Sequence, residues 1–308
     1  MRIGITLPQG CDREYLGLDG RTAWERTVTA AREAEALGFE SLWAYDHFQV
    51  DPPPEEAPIF EPFVELTAIA TATTRVRLGH LVLAAAYRPA ALTAKMISTL
   101  DVVSGGRIEL GIGAGWKQDE WLAYGYGFPD APERLAILAD HLEVITRMLA
   151  PGRATYHGRH AHVIDAIHEP KSAGGHIPIV VGGNGPKVTW RLAARFADEL
   201  NLDALMPEEV EAALPVIRER CDEIGRDPAT LGVSIHVWGR PDARPGRERR
   251  ERLRAYADLG LRRTILQGFA AVTEPGVLES IADDCAAVGL LEAAAPRARA
   301  ESARRIRD

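Results

Sequence analysis

Short apolar runs alternate with longer segments of helical periodicity along the whole chain. Residues 3–7 form an apolar run of strand length. Residues 22–37 then place apolar and alanine positions at helical spacing, and Gly38 stops them. The pairing recurs as a strand at 41–45 with a helix at 62–73, and a long strand at 76–84 with a helix at 89–103, where Pro89 sits near the first turn. A strand at 107–111 is followed by a helix at 132–149, and a strand at 177–181 by a helix at 187–196. Strands at 199–202, 231–237 and 262–266, each followed by a helix (208–224, 247–259 and 274–288), complete the series. Strict alternation predicts a parallel sheet, because each helical crossover returns the next strand beside the last in the same direction. Eight such units in a chain of 308 residues suit a closed (β/α)8 TIM barrel better than an open doubly wound sheet.

Two connections interrupt the rhythm. Residues 112–131 join strand four to its helix and carry Trp116, Trp121, Tyr124 and Tyr126. A connection that long inside a compact domain is usually functional. Residues 151–175 hold four glycines and four histidines and read as an inserted loop or hairpin within one barrel domain spanning 1–308. A barrel also says where to look for chemistry, namely just after each strand, at the C-terminal mouth.

Composition narrows the classes. The formal net charge of −8 argues against nucleic acid as the main partner, because phosphate binding wants a basic face. The arginine-rich stretch 244–254 also carries Glu248 and Glu251, which suits a solvated helix face. Cys11, Cys221 and Cys285 are far apart and form no CxxC pair, so a reduced, intracellular protein is expected. No signal-peptide core follows Met1, and no apolar run reaches the ~20 residues that cross a bilayer. A soluble, cytoplasmic protein that takes a small organic molecule is the expectation.

Three strand ends carry candidate chemistry. Asp46-His47-Phe48 follows strand two, where a histidine can pass protons near neutral pH; a structural histidine satisfied by the neighbouring carboxylate is the alternative. Gly182-Gly183-Asn184-Gly185 follows strand five and opens a helix, an arrangement that frees backbone N–H groups for an anion. The run has neither GxGxxG nor GKS/T spacing, so it is no Rossmann fingerprint or P-loop. Gly111, Gly113 and Gly115 alternate at the end of strand four, where a flat ligand can lie against bare backbone, with Trp116 as its cover or as core. Glu120 is placed to be a proton donor, a helix cap or a lid anchor. His80, inside strand three, is expected to pack. His157, His160, His162 and His168 in the insertion lack ligand spacing and are expected at the surface, and no metal is expected.

Taken together, these segments resemble the luciferase-like flavin and deazaflavin oxidoreductases. The resemblance covers most of the chain. It rests on residues 34–43 with Asp46-His47-Phe48, on 87–90 through 94–96 and 100–107, on 111–116 with Glu120 and Gly125, and on 182–185 with 193–198. The Asp-His-Phe triplet is similar to the branch that uses the deazaflavin coenzyme F420. That resemblance implies hydride transfer between an organic substrate and F420, with His47 as acid or base oriented by Asp46. It implies a cofactor site at Leu81, Val82, Gly113, Ala114, Gly115, Gly182, Gly183, Asn184 and Gly185, and a non-proline cis peptide at Leu81-Val82. It also implies a homodimer. The alternatives within the resemblance are a two-component FMN-dependent monooxygenase and a non-catalytic flavin-binding barrel. His80 and Ala84 depart from the small hydroxyl and polar groups common near the cis bond, and no basic sugar-phosphate pocket is evident at the strand ends.

Overall fold

The computed structural model describes residues 1–51, 56–237 and 245–292; Arg244, at the start of the arginine-rich stretch, lies outside them. The first half runs β1 (Arg2–Thr6), α1 (Gly20–Ala36), β2 (Ser41–Ala44), α2 (Pro62–Ala72), β3 (Arg77–His80), β4 (Leu83–Ala84), α3 (Ala90–Ser104) and β5 (Ile108–Gly113). Next come α4 (Gln118–Ala123), α5 (Ala131–Leu149), β6 (Ala154–His157) and β7 (His162–Ala166). The second half continues with β8 (Ile179–Gly182), α6 (Thr189–Phe196), β9 (Glu199–Asp203), α7 (Pro207–Asp222), β10 (Gly232–Val237), α8 (Arg247–Asp258), β11 (Arg263–Gln267) and α9 (Val277–Ala286).

The strands order as β3-β2-β1-β11-β10-β9-β8-β5-β4, and β3 also pairs with β5, which closes the sheet on itself. Every pair in this sheet is parallel. Since β3 and β4 share one position, this is the closed eight-position (β/α)8 barrel that the alternation predicted.

The long third strand expected at 76–84 is divided. Leu78 pairs with Ile108 and Leu83 with Ile112, so β3–β4 carries one more residue than the β5 stretch it faces. This is a bulge, and bulges re-aim side chains next to active sites. The Leu81–Val82 peptide inside it is cis, at the position the resemblance implied. The insertion takes the hairpin form of its two expected forms, with β6 antiparallel to β7. His168 corrects the expectation of surface histidines there. It is buried, and its Nε2 lies 2.6 Å from Ser98 Oγ, fastening the return segment to α3.

The main core lies between strands and outer helices, and a second apolar cluster fills the barrel. Trp43 is its centre, with Leu81, Val180 and Ile265. A Cβ at Gly79 would lie 2.4 Å from the Trp43 ring, so glycine there makes room for the indole. At the N-terminal end of the barrel the interior turns ionic. Arg263 donates to both Glu109 oxygens, at 2.9 and 3.0 Å, and stands 5.0 Å from the Trp43 ring. Glu40 and Glu199 flank the same guanidinium at 3.3 and 3.7 Å. Burial alone would raise the Glu109 pKa, but Arg263 and Arg77 overcome it and hold the carboxyl below its usual range.

Removing the shared cation strands buried carboxylates, so Arg263→Met is expected to lose about 3–5 kcal/mol in urea unfolding. The depressed Glu109 pKa adds stability that is complete above the ordinary glutamate pKa and lost as pH falls below it. Acid unfolding is therefore expected to be shallower in Glu109→Gln than in the wild type. Equal acid slopes would contradict this role.

Candidate active site at the barrel mouth

A cavity of about 430 Å³ opens at the C-terminal ends of the strands, within the range of small-molecule and cofactor sites. Asp46, His47, Leu81, Val82, Gly113, Ala114, Gly115, Gly182, Gly183 and Asn184 all line it. Gly185 stands behind the lining, where a Cβ would meet Thr189 Oγ1 at 2.8 Å.

The bulge forms the inner wall. An added Cβ at Gly113 would lie 2.8 Å from Val82 Cγ2, and one at Gly182 would lie 2.9 Å from Val82 Cγ1. A Cβ at Gly111 would run into the His80 carbonyl oxygen at 1.7 Å. The alternating glycines thus admit the bulge itself, and their bare backbone is covered by Val82 before any ligand arrives. Gly115 plays the same part for the Trp121 indole, 2.7 Å from an added Cβ. His80 packs on Phe63 with ring centroids 4.4 Å apart, and burial pushes its pKa down to about 3, so it is neutral.

His47 is held by Glu120, which corrects the expectation that Asp46 orients it. Its Nδ1 lies 3.1 Å from Glu120 Oε2. Glu120 is fully buried on α4 and accepts further hydrogen bonds from Phe48 N–H (2.7 Å), Gln49 N–H (3.2 Å) and Tyr87 Oη–H (3.0 Å). Burial alone would raise its pKa, but the His47 contact, the amide and the phenol bring it below the usual range. An ionised carboxylate only accepts, so His47 Nδ1 carries a proton, and in the neutral ring Nε2 is then the acceptor that the cavity meets. Asp46 is occupied elsewhere. Its oxygens accept two bonds from Arg88, both at 2.8 Å, and one from Ala84 N–H at 2.9 Å, tying the β2 end to the far side of the bulge. Glu61 takes Arg88 as well, at 2.7 Å.

Aromatic side chains back this arrangement. Phe48 stacks on Tyr87 at 5.0 Å, and Tyr87, which lines the cavity, stacks on Tyr126 at 4.6 Å, so the three rings form one stacked group behind the wall. Trp116 stands edge-on to His47 at 5.9 Å and is 64% exposed, at the lip of the cavity.

The opposite wall carries residues that the sequence reading passed over. Tyr45 Oη reaches across the mouth to His236 Nε2 at 2.8 Å, and His236 Nδ1 lies 3.1 Å from Asp203 Oδ1. Asp203 and His236 lie at or near the ends of β9 and β10, so the strand-end rule applied to those strands would have found them. Asn184, expected as a ligand contact, spends its side-chain amide on Asp203, donating to its carbonyl at 2.8 Å and accepting from its N–H at 2.9 Å. Gly183 N–H is bonded to the Asn201 carbonyl at 3.0 Å. The glycine loop is thereby fixed to β9, and it ends beside Thr189, the first residue of α6, which also lines the cavity. Among the described residues no cluster of three or more His, Cys, Asp or Glu side chains is placed to hold a metal ion.

A parallel barrel with a strand-three bulge, an inward histidine and a glycine loop at its mouth defines the class of luciferase-like proteins. The family model for luciferase-like monooxygenases matches residues 1–307, and the chain belongs to that family. It is 31% identical over 264 residues to an F420-dependent glucose-6-phosphate dehydrogenase of Kineococcus radiotolerans, covering 82% of this chain and 74% of that one. In fold it is similar to an F420-dependent secondary alcohol dehydrogenase solved with an F420-acetone adduct (TM-score 0.77, 18% identity, 93% of this chain and 98% of that one). It is similar also to the coenzyme F420-dependent tetrahydromethanopterin reductase of Methanopyrus kandleri (TM-score 0.72, 20% identity, 92% and 97%).

Gly113→Ala is expected to force Val82 aside and destabilise the protein by about 1–3 kcal/mol. Combining it with Val82→Ala should cost clearly less than the sum of the two single changes, measured by thermal unfolding. Strict additivity would show that Gly113 is glycine for another reason.

Proposed function

We propose that the protein is an F420-dependent oxidoreductase that moves a hydride between an organic substrate and the deazaflavin. The observation that carries this reading is the His47–Glu120 pair, which presents a histidine nitrogen to the cavity with its tautomer fixed. The F420-dependent relatives support the choice of cofactor. The residues present fit such a group: Leu81 and Val82 offer an apolar wall for a flat ring, and the glycine loop and α6 N-terminus offer a seat for a phosphate. When bound, the deazaflavin supplies a two-electron hydride acceptor or donor.

The protein's own part is proton handling and orientation. In alcohol oxidation His47 Nε2 takes the hydroxyl proton, and ionised Glu120 stabilises the imidazolium that results. In ketone reduction the same nitrogen returns the proton. Asp46 acts one step back, by setting the path of β2 and the bulge through Arg88 and Ala84.

The substrate we propose is uncharged. Asp12, Asp51 and Asp203 line the cavity, whereas Lys117, its one lysine among the described residues, is paired with Asp51 at 2.7 Å and Asp119 at 3.5 Å. A phosphorylated substrate such as that of the dehydrogenase relative finds no spare cation in the described lining.

Fluorescence titration separates the cofactor readings. Micromolar or tighter F420 binding with weak FMN binding is expected; preference for FMN moves the protein to the monooxygenase reading, and binding of neither defeats both. Glu120→Gln, which replaces the ionised partner of His47, should lower turnover about 10²–10³-fold with F420 affinity little changed. Full activity in that variant would remove Glu120 from the mechanism.

A further inference from the structure

We propose that His236, held between Asp203 and Tyr45, is a second proton-exchange group of the cavity and passes protons between the cavity and solvent during turnover. This rests on the hydride-transfer reading, because each alcohol oxidised leaves one proton at His47 that must depart before the next cycle.

The geometry supplies a path in one direction. Asp203, His236 and Tyr45 all line the cavity. The imidazole is buried, with a side chain 7% exposed, whereas the Asp203 side chain is 50% exposed. The group therefore connects the interior of the mouth to its wet rim. Tyr45 also lies beside the first group, its ring 6.1 Å from that of His47.

Hydrogen bonding explains how His236 can change charge without leaving a buried polar atom unmet. In the neutral ring Nδ1–H donates to the Asp203 carboxylate, and Nε2 accepts from the Tyr45 hydroxyl. Burial, with Cys11 and Asp203 nearby, holds the Tyr45 phenol well above its ordinary pKa, so it stays protonated. When a proton arrives at Nε2, the ring becomes an imidazolium, Nε2–H donates to Tyr45 Oη, and the phenolic O–H turns to its other partner, Thr6. Both states are satisfied, and the positive charge sits against a carboxylate. The Nδ1 proton then passes by way of the Asp203 carboxylate to water at the rim, leaving a neutral ring protonated on Nε2. The starting tautomer returns when the ring turns into the open cavity, gives the Nε2 proton to water and takes one from water on Nδ1. No electrons move, and one proton enters for each that leaves.

Titratable groups around this hydrogen-bonded series include Asp203 on β9, Tyr45 and His47 after β2, and Cys11 and Asp12 in the β1–α1 segment. Asn184 fixes the Asp203 backbone, so the glycine loop sets the carboxylate's position.

Two measurements on the full-length protein test the proposal. Histidine-ring ¹⁵N NMR of the apoprotein should show neutral His236 protonated on Nδ1, with Tyr45→Phe displacing the Nε2 resonance; a ring protonated on Nε2 would overturn the relay. Turnover is followed by F420 absorbance with 2-propanol and a panel of other uncharged secondary alcohols. His236→Gln keeps a donor and an acceptor but holds no proton, and its kcat should fall about tenfold to hundredfold with F420 Kd within about twofold of wild type. Added imidazole should restore much of the kcat lost in His236→Ala, which a purely structural tie would not permit. Unchanged kcat in His236→Gln, or no rescue of His236→Ala, overturns the proposal. A wild-type protein that turns over no alcohol defeats the hydride-transfer reading instead, and the tautomer measurement then decides the relay.

Discussion

The mouth of this barrel is organised around one buried carboxylate. Glu120 has no solvent to satisfy it, and four donors from two segments converge on it: His47 and two amides after β2, and the Tyr87 phenol beyond β4. A buried charge left short of partners costs far more than a typical hydrogen bond is worth, so the donors must stay where they are. The constraint ties the β2 loop to the long β5–α5 connection. It also fixes which nitrogen of His47 the cavity sees. Tyr124 Oη–H reinforces the tie by donating to the Phe48 carbonyl at 2.7 Å, and Gln49 by donating to Asp119 at 2.9 Å.

The second organising element is the break in strand three. Its Val82 side chain enters the space left by Gly113 and Gly182, so one strand sets the shape of the wall formed with its neighbours on the β5–β8 side. Asp46 and Arg88 lock the upper end of that break to β2. Tyr45 then crosses the mouth to His236. The cavity is thereby bounded by a bulge on one side and a hydrogen-bonded chain on the other, with His47 and Trp116 between.

Much of this was legible from the residues. Strand–helix alternation leads to a parallel barrel because chain connectivity leaves few other solutions, and strand ends locate the mouth without any structure. The lining at His47, Gly113 and Gly182–Asn184 follows from that rule. What proximity in sequence misled was partnership. Asp46 adjoins His47, yet successive residues of an extended strand end point to opposite sides, so its carboxylate faces Arg88 while the imidazole meets a glutamate more than seventy residues away. The glycines of β5 suggested bare backbone for a ligand, whereas Val82, on the far side of α3 in the chain, claims the space first in the fold. Tyr45, Asp203 and His236 carry no local motif; they become a group only when β2, β9 and β10 stand around one opening.

The chain belongs to the luciferase-like family, and the proposed function sets a flat redox cofactor against the Leu81–Val82 wall of the cavity, with His47 and His236 as the proton-holding groups around it. The central claim is that His47, fixed by Glu120, faces the reacting edge of a deazaflavin at this mouth. A crystal structure of the protein with F420 tests it most directly. The account predicts the ring against Leu81 and Val82, His47 Nε2 turned to it and Nδ1 still on Glu120. A ring bound outside this cavity, or His47 turned away with Asp46 as its partner, would contradict it.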